Sequence, residues 1–396
     1  MNIYVTGMGM MSAIGNNVSE ALDSLVNSRS GIAPITILNT RHREDFVLGE
    51  VKMTDKNLHS KANILSDKHA TRTTLLGLFA AEEALKQANY DRKDGIRTGL
   101  ISATTVGGVG TTELHFHDFL KGHKTANFID TEDGGDSTEY LADHFGIKHF
   151  ITTINTACAS STQAIALAAR MLRNGFLDRV LVGGTDANCK LTFNGFNSLQ
   201  LLSSEPCRPF DVNRKGLNLG EGAAYLVLEN EKTVKNFDRK PIARLSGYGV
   251  TNDAYHQTSS SPDGSGLFAA MKNALTIANL KAQEIDYVNA HGTATGNNDL
   301  TEGWAIKNMF GKEVAFSSTK GFTGHSLAAA GAIEAVISVL CLQNQMKVPN
   351  LNFTEPIEEH EMIPITKIQK NVVVNHVLTN SAGMGGACAS VIFSKN

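Results

Sequence analysis

The sequence predicts an α/β protein built in layers, with its second half restating the plan of the first. Three observations carry this. Strand-like and helix-like segments alternate along all 396 residues. Each half holds a helix rich in alanine and other small residues behind a polar loop: "NTACASSTQAIALAARMLRNG" in the first, "SSTKGFTGHSLAAAGAIEAVISVLCLQ" in the second. The hydrophobic content of 42% supports a sizeable core over that length.

In chain order, "NIYVTG" reads as a first strand and 67–89 as a long amphipathic helix with apolar residues at helical spacing. A strand is expected over 97–104. The helix beginning at Cys158 should end at Gly175, a suitable C′ residue. "RVLVGGTDA" (179–187) is a buried strand, and 223–230 closes the first half. A strand over 241–250 and a helix over 265–280 then open the second. "IDYVNAHGTATG" (285–296) is a strand opening into a loop, and 314–343 runs strand, glycine loop, helix. Two strands around a glycine turn end the chain at 372–394. The join falls near 230–245, giving halves 1–240 and 241–396.

Composition narrows the function. A net charge of −3, with no basic stripe interleaved with aromatics, gives no case for nucleic acid. Five widely spaced cysteines without a CxxC suggest neither a disulfide framework nor a zinc site, and point to a reducing compartment. The N-terminus reads as a strand rather than a secretory signal, and no run approaches about 18 consecutive apolar residues. A cytoplasmic protein without membrane insertion is expected. "GMGMMS" lacks the third glycine and the acidic partner of a dinucleotide fingerprint, so it is a turn. His115 and His117 have no further ligands at metal spacing.

Four stretches fall where a strand hands over to a loop or helix, the usual place of ligand chemistry in α/β folds. They are "NTACAS" with Cys158, "NAHGTATGNND" with His291, "SSTKGFTGHSLAAAG" with Lys320 and His325, and the turn "NSAGMGG" with Met384. A cysteine with distant histidines is an acyl-transfer set. A thiol at a helix start is expected to have a lowered pKa.

With "CRPFDVNRKGLNLGEGAA" (207–224) and "NAHGTATGNNDLTE" (289–302), these stretches in this order resemble the elongating β-ketoacyl-acyl carrier protein synthases of the thiolase superfamily, along essentially the whole chain. The resemblance implies the thiolase-like, duplicated α/β/α/β/α fold, with mixed five-stranded sheets around buried helices. It implies that Cys158 carries the acyl chain as a thioester, and that the N–H groups of Cys158 and Met384 form the oxyanion hole. His291 and His325 would hydrogen-bond the malonyl thioester carbonyl during decarboxylation, supported by Lys320 and Glu334. Thr293 and Thr295 match positions that hold the carrier's pantetheine arm, and Asp299 and Glu302 have structural roles. No metal or cofactor is implied beyond the substrate's own phosphopantetheine. The partners implied are acyl carrier protein and a second subunit, either another copy or a homologous chain. Cys388 is expected to be a packing cysteine.

The chain departs from the family at its final turn. Ala382 and Met384 stand where two phenylalanines are usual, and Ala387–Cys388 replaces Thr–Asn. Met384 lies at the acyl-pocket gate, and Thr112 falls near the chain's far end, usually apolar. These changes leave two pathways open, fatty-acid-type elongation and a specialised polyene or polyketide synthase. A third reading is a carrier-binding partner subunit with lost activity. Phe193 and Phe196 are candidate tunnel residues, and Lys68, Arg72, Lys121 and Lys124 candidate carrier contacts.

Overall fold

The structure, a computed structural model, describes residues 1–64, 70–122 and 124–396, the side chains of 124–127 excepted. Ten strands form one continuous ladder: β1 (Ile3–Ser12), β2 (Thr98–Ala103), β3 (Phe150–Ile154), β4 (Arg179–Asp186) and β5 (Gly222–Asn230), then β6 (Ala243–Asn252), β7 (Tyr287–Asn289), β8 (Phe316–Ser317), β9 (His376–Gly383) and β10 (Ala387–Ser394). The spatial order is β3-β2-β4-β5-β1 followed by β6-β10-β9-β7-β8. Read from the centre outward, both halves follow one scheme: first strand, fifth, fourth, second, third. Their pairing senses agree as well. The two central pairs of each half are antiparallel, and the two outer pairs are parallel. Within the ladder the two sheets join through two residue pairs, Tyr4 with Arg244 and Val5 with Ala243. The expected pair of five-stranded sheets is therefore present, stitched at its centre into one ladder.

The helices repeat too. α1 (Arg72–Gln87) packs on β1, β4 and β5, outside the first sheet. Between β2 and β3 come α2 (Val109–Leu120) and α3 (Gly134–Phe145). α4 (Ser160–Arg173) follows β3, and α5 (Lys190–Ser198) follows β4. In the second half α6 (Ser265–Ala278) packs on β6 and β10, α7 (Gly296–Phe310) packs on α6, and α8 (Ala330–Asn344) follows β8. α4 and α8 each touch strands of both halves and each other, making the central layer. α1 and α6 cover the outer faces, which gives five layers.

The central layer explains the small residues. α8 lies between the two sheets with no face to water, so it carries almost no polar stripe and 13 of its 15 residues are buried, whereas α4 leaves Arg170 exposed and Gln163 and Leu167 half-buried. Leu327–Asn344 is long and apolar enough to cross a bilayer, yet 89% of it lies inside the protein, so it is a core helix. Gly331 marks the closest approach. A β-carbon there would lie 2.0 Å from Thr162 Oγ1, which is itself bonded to Ser381 Oγ at 2.7 Å. Gly331→Ala should therefore cost more than the ~1–3 kcal/mol of ordinary overpacking. Thermal unfolding would read this as a fall in Tm of several degrees, whereas an unchanged Tm would mean that the helices can separate freely.

Two expected boundaries shift. The first long helix starts at Arg72, where the Thr71 side chain accepts the Thr74 N–H at 3.2 Å and fixes the first turn, and residues 67–69 of the expected span lie outside the described residues. The nucleophile helix starts at Ser160, leaving Cys158 in the turn before it. Its far end matches expectation, with Gly175 at φ +71° just beyond the Asn174 cap.

Candidate active site

All four motif loops gather at the carboxyl ends of β3, β7, β8 and β9. They enclose a cavity of about 210 Å³ lined by Cys158, His291, His325, Thr293, Thr295, Ala382 and Met384. Cys158 comes from the first half and both histidines from the second.

Cys158 is presented by a strained turn. Ala157 before it has φ +51°, a left-handed conformation that costs an L-residue ~1–2 kcal/mol. Ser160 holds the turn: its hydroxyl accepts the Thr156 N–H at 2.8 Å and donates to the Ala157 carbonyl at 2.5 Å. The β9–β10 turn closes over this one at Gly383. A β-carbon there would sit 2.9 Å from the Thr156 carbonyl oxygen and 3.1 Å from the Cys158 nitrogen. That closeness turns the Met384 N–H toward the Cys158 sulfur, where it favours the thiolate.

The expected lowering of the thiol pKa is not what the environment gives. Burial pushes Cys158 up to about 11, and the Lys320 charge and the Met384 N–H only partly oppose it. The reason is solvation: the thiol is 93% covered, and the thiolate loses more water than the nearby charge and dipoles return. Cys158 is therefore a thiol at neutral pH. Its alkylation by iodoacetamide should rise about tenfold per pH unit from pH 7 to 10. A plateau below pH 9, measured by mass, would instead reveal an activated thiolate.

The histidines are neutral. Burial holds both well below 6.5, with Lys320 adding to the effect, and His325 adding further for His291. Their rings meet edge to face at 5.2 Å. Lys320 Nζ lies 3.2 Å from His291 Nδ1 and 2.6 Å from the His291 carbonyl oxygen, and it pairs with Glu334 Oε1. An ammonium can only donate, so Nδ1 of His291 must accept and its proton must sit on Nε2. His325 is anchored differently: its N–H donates to the Asn218 carbonyl at 2.8 Å, while its Nδ1 finds no hydrogen-bond partner among the described residues. Its tautomer is not pinned. Burial raises Glu334 to about 7, with Lys320 pulling it back.

Carboxylates hold the loops. Glu302 accepts the N–H groups of His291 and Gly292, both at 2.8 Å. Asp299 accepts those of Phe210 at 2.6 Å and Ala294 at 3.1 Å. The Thr293 and Thr295 hydroxyls lie 2.9 Å apart. Two supports went unread in the sequence. Asp186, at the end of β4, accepts from Thr104, Thr105 and Val106 in the first half and from the Ala328 N–H in the second. Asn218 binds the Cys207 N–H and the Ser203 and Glu205 carbonyls while receiving His325. The one signal was an acidic residue ending an otherwise apolar strand, in "RVLVGGTDA".

Residues 1–233 match the family described as Beta-ketoacyl synthase, N-terminal domain, and 242–354 match Beta-ketoacyl synthase, C-terminal domain. The chain belongs to the β-ketoacyl synthase family. It is 32% identical over 407 residues to a 3-oxoacyl-[acyl-carrier-protein] synthase 2 of Staphylococcus aureus, covering 99% of this chain and 98% of the relative. It is 33% identical to the Coxiella burnetii protein of the same name, over 99% and 98%. Among solved structures, the ishigamide ketosynthase/chain length factor superposes with a TM-score of 0.92 at 28% identity, over 100% and 99% of the two chains. The ketosynthase ApeO in complex with its chain length factor ApeC, from Xenorhabdus doucetiae, gives 0.86 at 29%, over 100% and 98%. The thiolase-like fold stands on these likenesses.

Several residues singled out in the sequence lie away from this β-ketoacyl synthase cavity. Thr112, on α2, is not part of its lining. Phe196 lines it, whereas Phe193 is buried in the neighbouring core. Cys388 packs in the second-half core, where burial pushes its thiol up to about 12. Arg72 is no docking residue: its guanidinium is bound to Glu221, Asp55 and the Met53 and Val51 carbonyls. Lys121 is exposed at the end of α2. Lys68 and the Lys124 side chain lie outside the described residues. His115 stacks on Phe128 at 4.3 Å, and His117 lies exposed on α2.

Proposed function

We infer that this protein condenses an acyl chain held on Cys158 with malonyl-acyl carrier protein, giving β-ketoacyl-acyl carrier protein and CO2. The observation that carries this reading is one cavity holding a buried thiol, a backbone N–H on its sulfur, and two neutral histidines, one with a fixed tautomer.

In the loading step the Cys158 proton passes to Nε2 of His325, whose unpinned tautomer leaves that nitrogen able to accept. The sulfur attacks the acyl thioester, and the Cys158 and Met384 N–H groups face the oxyanion. The carrier leaves as its thiol, taking the proton back. In the second step the malonyl C–CO2 bond breaks and its electron pair moves into an enolate, whose oxygen faces the Nε2–H of His291. The enolate carbon attacks acyl-Cys158, the C–S bond breaks, and a solvent proton restores the thiol. Thr293 and Thr295 hold the pantetheine arm, and the chemistry calls for no cofactor beyond it. Met384 shapes the acyl pocket, and Thr112 lies off its lining. The working unit is two halves, 1–240 and 241–396, with Cys158 in one and the histidines in the other. The protein acts in the cytoplasm on carrier-bound chains, as a dimer with a copy of itself or a homologous subunit. The free edge of β3, where Ile151 is 40% exposed, suits such pairing.

A specialised polyene or polyketide synthase is the second reading. Ala382 and Met384 make the turn less aromatic than the family's usual one, and the cavity wall is polar at Thr258, Ser259, Ser260 and Asn297. Two of the structural relatives described above are ketosynthases with chain length factors. The test is incubation with malonyl-carrier and a panel of saturated and polyene acyl-carriers, following β-ketoacyl product by intact mass. Product with any chain supports condensation, and the chain that works best separates the pathways. No loading of Cys158 by any chain, even with a homologous subunit added, would leave only the partner-subunit reading.

A further inference from the structure

A second cavity, of about 170 Å³, lies beyond the start of α5, lined among others by Leu38, Val106, Thr111, Asn188, Cys189 and Glu221. An apolar cluster lies between it and the Cys158 cavity. Val106 and Cys189 belong to that cluster and line the second cavity, while Leu217, with Phe196 packed against the cluster, lines the first. Along α5, Phe196 lies seven residues beyond Cys189, about 10 Å at the helical rise. The cluster is buried and apolar apart from the Cys189 thiol, with His42 stacked on its Phe193 at 5.9 Å, and an alkyl or alkenyl chain reaching the far cavity has to part these side chains.

The far cavity is polar, and its carboxylates are already committed. Glu50 accepts the Thr36, Ile37 and Leu38 N–H groups, Glu113 those of Lys190 and Leu191, and Glu221 binds Arg72 and the Val51 and Asn188 N–H groups. One amide donor is unspent: Asn188 Nδ2 is buried and has no hydrogen-bond partner among the described residues. The hydroxyls of Thr105 and Thr112, whose chain neighbours line the cavity, are orphaned in the same way. A buried amide donor without a partner is costly, and a ligand acceptor removes the cost. Glu50, Asp55, Glu113 and Glu221 outnumber Arg72 and Lys190 in the lining, so the acceptor should be neutral.

We propose that this second cavity receives the far end of the acyl chain and selects chains ending in a neutral oxygen, such as an alcohol or phenol, through Asn188. The proposal rests on Cys158 being the acyl acceptor. It accounts for polar groups where a saturated tail would want an apolar wall.

The test is intact-mass loading of the full-length protein by two carrier-bound chains of equal length, one ending in methyl and one in hydroxyl, beside a short hexanoyl chain as control. Wild type should load the hydroxyl-ended chain about fivefold faster, the effect of one neutral hydrogen bond. Asn188→Leu should erase or reverse that preference and leave hexanoyl loading unchanged. Equal loading of both long chains by wild type would overturn the proposal whether or not the variant folds. So would a preference that survives Asn188→Leu. Failure of every chain, hexanoyl included, would count against the assignment of Cys158 as acyl acceptor.

Discussion

Cys158→Ala should abolish condensation, with a loss on the order of 10⁴-fold or more, because no other group in the cavity can carry the acyl chain. Malonyl-carrier decarboxylation should continue. That step draws on His291 and His325, neither of which depends on the sulfur for its charge state or tautomer. The result expected is CO2 release, followed with labelled malonyl-carrier, without any β-ketoacyl product and without mass gain on the protein. Condensation surviving in the variant would mean direct transfer between carriers, and the strained turn at Ala157 would then have no catalytic purpose. Loss of both activities, with an unchanged Tm, would mean that the thiol also helps to bind malonyl.

Lys320→Met should lower condensation about 10²- to 10³-fold, the loss seen when one preorganised donor is removed. The methionine keeps the volume but leaves Nδ1 of His291 without its donor, so the ring no longer holds its proton on Nε2. It also removes the charge that opposes the upward shift of Cys158, so loading should slow as well. Breaking a buried ion pair usually costs ~3–5 kcal/mol, but burial already raises Glu334 to about 7, so that carboxyl can take up a proton and limit the damage. The variant should thus fold, with decarboxylation and loading both impaired. Wild-type activity should not fall between pH 8 and 6 through the histidines, since both are held well below 6.5 and stay neutral there. In Lys320→Met an acid-side decline should appear as pH falls toward 6, because one cause of their low pKa is gone and the imidazoles begin to protonate. A pH–rate profile of the two proteins distinguishes this from simple misfolding.

Much of the fold was legible because its signals are local. Strand alternation, the glycine turn at 383–386 and the small-residue helices all follow from nearest neighbours in sequence, and each appears where periodicity put it. The misread features depend on contacts between distant residues. Whether Arg72 meets carrier or Glu221 is decided by a partner 149 positions away. The Cys158 pKa turns on burial by the β9–β10 turn, which no rule about helix starts contains. Thr71 is a readable cap, since the apolar helical spacing begins only beyond it, at Leu75. Asp186 and Asn218 are invisible for a related reason, since each joins segments that lie far apart in the chain.

The carboxylate of Asp186 has an evolutionary consequence. It clasps a loop of the first half and the loop behind His325 at once, so the spacing of nucleophile and histidines is set across the seam, not within either half. The second half contributes only a backbone N–H, which any residue but proline supplies. Genes for two relatives that recombine between Asn230 and Ala243 should therefore keep the clasp wherever the first half brings its acid. Such hybrids would test how far two histories can share one catalytic centre.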